Sequence, residues 1–211
     1  MIVDCKKPIL IVEGAGDVKA VPRLIRNTLH FNGIYDINPA PRPKSNLEIR
    51  KLLRAGELER YVEYGIRDDG DSVLFILDCD DFCPITVCKI FVERIRGLRP
   101  AKKVGIALFR AEFEAIFLHC IDEISAYFAD YGWVADRLQL AGDLEAIRDA
   151  KGTLSRMMKP ERAYKETRDQ EKFITALNFK KLHENSRSFR HFESTLHWLA
   201  GGTEAVYPMI S

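Results

Sequence analysis

The apolar run Leu74-Phe75-Ile76-Leu77 ends in Asp78-Cys79-Asp80-Asp81, three carboxylates within four positions. A run of that kind predicts a buried strand, and its acidic end predicts a cleft. Successive side chains of an extended backbone alternate faces, so Asp78 and Asp80 are expected to point the same way and Cys79 back into the protein. Two hard oxygen donors on one side of a strand end suit Mg²⁺. Aspartates also mark ordinary turns after strands, so the spacing of an isolated D-x-D does not decide between the two. Two more acidic segments follow strand-like runs. Glu13-Gly14-Ala15-Gly16-Asp17 comes after Pro8-Ile9-Leu10-Ile11-Val12, and Glu112-Phe113-Glu114 comes after Lys103-Val104-Gly105-Ile106-Ala107-Leu108-Phe109. Glu112 and Glu114 could complete a metal site or could simply favour the dipole of a helix that starts there. If that segment is helical, only one of the two faces the cleft, because residues two apart diverge around a helix.

Elements that could position these residues are readable in chain order. The segment Val18 to Leu29 repeats apolar residues at helical spacing, with Asp17 placed to cap it and Pro22 in its early turns. Gly33 closes it, and Ile34-Tyr35-Asp36-Ile37-Asn38 is read as a second strand. Pro39-Ala40-Pro41-Arg42-Pro43-Lys44 is an irregular loop with basic residues, and Asn46 is placed to cap a helix through Leu47 to Tyr61. Pro84 fits the first turn of a helix that ends near Gly97. Strands therefore alternate with helices, which predicts an α/β sandwich: a mainly parallel sheet of about four strands flanked by helices, with functional loops along one edge. Beyond Glu114 the pattern is helical: Ala115 to Tyr131, Leu138 to Ala150, and a last helix after Asn185-Ser186-Arg187-Ser188, with Ser188 as its cap. Residues 1–130 are read as the main domain and 131–211 as a helical extension packed on the same core.

Composition sets outer limits. The 211 residues are 46% hydrophobic, with 32 basic and 31 acidic side chains, as in an ordinary globular protein. No apolar run approaches the roughly 20 residues needed to cross a bilayer, and the first residues lack a secretory pattern, so a cytoplasmic protein with no membrane partner is expected. The five cysteines include Cys79-x3-Cys83-x4-Cys88, which is neither zinc-knuckle spacing nor a disulfide framework. Near-neutrality conceals an uneven distribution: Glu112 to Ala150 holds nine acidic and two basic residues, whereas Lys151 to Ser211 holds eleven basic and seven acidic. An acidic metal-type cleft with basic flanks can hold a polyanion, and Lys151, Lys165 and Arg187 are the candidate nucleic-acid contacts. Solvated basic surface is the commoner role for a lysine.

A strand ending in Val12-Glu13-Gly14, followed by a later strand ending in Asp78-x-Asp80, resembles the paired motifs of the Toprim fold of topoisomerases, bacterial primases and several nucleases. Glu112-Phe113-Glu114-Ala115-Ile116-Phe117-Leu118, then Tyr164-Lys165 with Asp169-Gln170, then Ser186-Arg187-Ser188-Phe189 resemble an uncharacterised Toprim-like group met beside ATPase genes in bacterial phage-defence systems. The resemblance implies a metal-dependent phosphodiesterase acting on DNA or RNA. In that reading Asp78 and Asp80 hold Mg²⁺ or Mn²⁺, Glu13 is a general acid/base or a further ligand, and Glu112 or Glu114 completes a second metal site. This chain departs from the pattern in having Asp81 directly after the D-x-D, which leaves open which two aspartates bind metal. A different class remains: a non-catalytic module whose acidic cleft binds metal or nucleotide and regulates an ATPase. Lys19 stands where a dinucleotide-binding G-x-G-x-x-G would need its third glycine, and there is no G-x-x-x-x-G-K-[ST], so ATP-driven work would need a partner.

Overall fold

Three segments are apolar at successive positions, so both faces of each must be buried, and such segments suit a parallel sheet covered on both sides. In a computed structural model, which describes residues 6–39, 47–129 and 140–201, they are β1 (Pro8–Val12), β2 (Ser72–Asp78) and β3 (Lys103–Phe109). They pair in parallel in the order β1-β2-β3, so the strand that carries Asp78 is central. Val12 pairs with Ile76 and Asp78 with Phe109, which leaves the acidic ends of all three strands along one edge.

Around the sheet lie α1 (Asp17–Phe31), α2 (Ile49–Leu52), α3 (Glu57–Arg67), α4 (Pro84–Leu98), α5 (Ala115–His119), α6 (Ile121–Tyr127), α7 (Ala150–Met157), α8 (Glu171–Ile174), α9 (Phe179–Asn185) and α10 (Arg187–Leu199). Strand alternation divides the interior in two. Leu10, Val12, Leu74, Ile76, Ala107 and Phe109 face a core shared with α1 and α10, while Ile11, Val73, Phe75, Leu77 and Ile106 face one shared with α3 and α4. Helix α10 lies directly on β3: a Cβ built on Gly105 would stand 2.8 Å from Thr195 Cγ2. The segments from Ala150 to Leu199 thus supply one layer of the sandwich.

The described sheet has three strands, not about four. Ile34 to Asn38 forms no strand; Ile37 alone makes an isolated parallel bridge to Lys6, with Lys6 N donating to Asp36 O and Asn38 N to Lys6 O. Ile37 is buried and Ile34 partly so, while Tyr35 is 67% exposed and Asp36 and Asn38 are exposed, which leaves little apolar area to hold a longer ladder. The helix expected through Leu47 to Tyr61 is two, α2 and α3, divided at Gly56, whose φ of +79° a side chain would resist. Residues 40–46, with the basic proline loop and Asn46, and residues 130–139 lie outside the described part. Cys120 divides the helix expected from Ala115, and between Leu140 and Asp149 the described chain has only the 3₁₀ turn Leu144–Ala146. Asp17 is the first residue of α1 and accepts a bond from Gly14 N, 2.8 Å away, without capping the helix. The cap of α10 is Ser186, whose Oγ accepts from Phe189 N; Ser188 Oγ instead accepts from Arg110 N.

Candidate metal and phosphodiester site

At the edge where the strands end, the backbone sets which acids turn inward. Asp78 is the last residue of β2. Beyond it Asp80 takes φ +48° and Ala111, past the end of β3, takes φ +57°, and Asp80 N donates to Ala111 O at 3.1 Å. Left-handed backbone is uncommon outside glycine, and here it bends two neighbouring strand ends together. The alternation expected for Asp78 and Asp80 therefore fails: Asp78 turns into the protein and Asp80 is exposed on a cleft, while Cys79 is fully buried as expected.

Asp78 Oδ1 accepts from Phe113 N at 2.7 Å, and Asp78 N donates to Glu13 Oε2 at 3.0 Å. One residue thus ties the end of β1 to the loop after β3. Glu112 and Glu114 part company at this loop. Glu112 Oε2 accepts from Lys151 N at 3.0 Å, whereas Glu114 is 1% exposed and accepts from the Tyr164 hydroxyl at 3.1 Å through Oε1. Glu114 Oε2 receives no hydrogen bond. Burial pushes the Glu13 carboxyl up to about 7, with further upward pressure from Asp80 and Asp17. Glu114 is raised to about 8, mainly by burial and then by Glu166 and Asp17. Asp78 is raised well above the usual carboxylate range by burial first and by Glu114 and Glu13 next.

Several members of this cluster were not legible in the motifs. Asp17 joins it through Gln170, whose Nε2 donates to Asp17 Oδ1 at 2.9 Å. Glu166 joins it from the π-helical turn Glu166–Gln170. Lys151, read as a phosphate contact, directs its ammonium at the acids: Nζ lies 2.7 Å from Glu166 Oε1 and 3.9 Å from Glu114 Oε2. Gly16 was the available signal. A Cβ there would come within 2.6 Å of both Glu166 Cβ and Gln170 Oε1, so the loop after β1 must be bare where this segment crosses it.

Beside the buried acids runs an open cleft of ≈ 430 Å³ lined by Asp80, Asp81, Arg110, Arg148 and Arg187 among others. Arg148 pairs with Asp81 at 3.0 Å and Arg110 with Asp143 at 2.6 Å. Arg187 is exposed at the start of α10 on this cleft, and Lys165 is exposed beside the turn that carries Glu166. Among the described residues, no group of three or more His, Cys, Asp or Glu side chains stands ready to hold a metal ion. The donor chemistry nonetheless suits a hard dication: buried carboxylates with raised proton affinity, one of them with an oxygen that no donor reaches. No described helix is long and apolar enough to cross a membrane. No protein-family model, curated protein or solved structure matches the chain.

Proposed function

We propose that the chain is a Toprim-like, metal-dependent phosphodiesterase acting on DNA or RNA in the cytoplasm, in phage defence alongside an ATPase partner. The observation that carries this reading is the tie at the end of the central strand, where Asp78 N donates to Glu13 Oε2 at 3.0 Å and the buried Glu114 lies near enough to raise the proton affinity of the half-buried Asp78. In this reading Asp78 and Glu114 hold Mg²⁺ or Mn²⁺, and Glu13 is left as the general acid/base. Asp80 faces the cleft as an outer ligand, and Glu112, engaged with the amide of Lys151, orients the first turn of α7. A bound dication would polarise the phosphodiester and favour hydroxide over water near neutral pH.

The chain's own residues supply positioning and proton transfer. Glu13 Oε2 is held by Asp78 N, which leaves Oε1 to carry a proton, and an acid near 7 can both take and give one at neutral pH. Water attack on phosphorus breaks a P–O bond to the sugar, and the departing alkoxide needs one proton, which Glu13 is placed to manage. Arg187, exposed on the cleft, and the exposed Lys165 contribute charge toward the polyanion, with Arg110 and Arg148 already partly neutralised by their aspartates.

Purified protein, alone and with any ATPase encoded beside it, should cleave plasmid DNA or RNA when Mg²⁺ or Mn²⁺ is present and stop in EDTA. Inactivity on every polymer, with metal shown by calorimetry to be bound, would favour the non-catalytic, ATPase-regulating module.

A further inference from the structure

Five carboxylates, those of the buried Glu114 and the half-buried Glu13, Asp17, Asp78 and Glu166, gather beside the strand ends, and the Lys151 ammonium faces them. Its placement is fixed by the chain on both sides. Asp149 caps α7 by accepting from Gly152 N at 3.0 Å, and Glu112 accepts from Lys151 N, so the lysine leaves the first turn of α7 pointing at the acids. The ammonium is 2.7 Å from Glu166 but 3.9 Å from Glu114 Oε2, a buried oxygen that receives no hydrogen bond and lies beyond the ammonium's hydrogen-bond reach. The remaining carboxylates are tied to amides or to neutral side chains: Asp78 to Phe113 N, Glu13 to Asp78 N, Asp17 to Gly14 N and Gln170. This is an arrangement that holds acids together without a metal ion, and it explains why no three of the described side chains converge as ligands.

We infer that Lys151 is a resident counter-ion that occupies the charge position of a divalent cation and swings out when one binds, which makes it a gate on metal loading. This rests on the metal-dependent reading above. The side chain can leave without disturbing the core, because 40% of its surface is exposed and its backbone anchor on α7 does not depend on the ammonium. Glu166, 35% exposed, can follow it outward. Glu114, 1% exposed and fixed by Tyr164, cannot, and so stays behind as the ligand uncovered by the departure. A like-charged ammonium left within about 4 Å of a dication would weaken binding strongly at any plausible interior dielectric.

Lys151→Met keeps the aliphatic stem and removes the charge. Calorimetric titration with Mn²⁺ should show the variant binding roughly tenfold or more tightly than the wild type, since a competing unit charge nearby has been deleted. Equal or weaker binding by the variant, with the wild type clearly binding, would overturn the gate and leave the metal site standing. Absence of Mn²⁺ binding by either protein would overturn the metal reading itself. A second measurement uses the unaltered chain, so a folding defect in the variant does not decide the matter. Acetic anhydride labelling of Lys151, read by peptide mass spectrometry, should rise several-fold when Mn²⁺ is added. Labelling that stays flat while calorimetry reports bound metal would show that the ammonium does not leave.

Discussion

Asp78 does two things at once. Its carboxylate is packed against Glu114 and Glu13, and its Oδ1 also holds the amide of Phe113. Asp78→Asn separates these, since an amide oxygen can still accept from Phe113 N while the negative charge is gone. Cleavage should fall by roughly a hundredfold or more, as the site loses much of its attraction for a dication. The melting temperature in EDTA at pH 8.5 should hold or rise, because repulsion among carboxyls that have lost their protons is relieved. Circular dichroism melts beside a nuclease assay check both. A mutant that retains full activity, or one that is inactive because it has unfolded, would remove Asp78 from the ligand set.

At the scale of the element, the described 140–149 segment carries one buried acid that ties it to α10. Glu145, 5% exposed, accepts from Ser186 Oγ at 2.7 Å, Arg187 N at 3.1 Å and Ser188 N at 2.8 Å. A carboxylate at the N-terminus of α10 satisfies amides that have no partner within the helix. Glu145→Ala should cost on the order of 2–4 kcal/mol of stability, because it leaves those donors buried and unpaired. Amide hydrogen exchange at Arg187 and Ser188 should speed up ahead of the rest of α10; uniform protection along the helix would deny the anchor. None of this was legible in the motifs, since Glu145 and its donors lie more than 40 residues apart. The strands were legible because their runs are apolar on both faces and need no distant information. Helix limits were less so: Gly56 and Cys120 break helices through local backbone angles, and the choice of Ser186 over Ser188 as cap depends on which hydroxyl Arg110 N reaches. Glu13, Asp78 and Glu114 were legible as strand-end acids. The inward turn of Lys151 was not, because its partners Glu114 and Glu166 come from separate elements.

For the molecule as a whole, the acid cluster sets a direction for stability against pH. Glu13 and Glu114 keep protons in the folded state up to about 7 and about 8, and Asp78 also keeps its proton above the usual range. The unfolded chain releases these protons near 4.5 and 3.8. Between those limits the folded state binds more protons, so this contribution is complete below the unfolded values and is lost as pH rises through about 7 to 8. Metal-free protein should melt at a lower temperature at pH 8.5 than at pH 5.5, by an amount equivalent to a few kcal/mol. Differential scanning calorimetry in EDTA tests this, and a flat or rising profile would show that the carboxyls are not held as described.

The layer that α10 lays over β3 also orders events during synthesis. By the time residue 109 has left the ribosome all three strands and α1 exist, yet Phe109 lacks the cover of Phe192, which arrives only with residues 187 to 199. The acids at the strand ends likewise wait for Lys151 and Glu166. For nearly half of its translation the nascent chain therefore presents an unfinished apolar face, which suits protection by a chaperone.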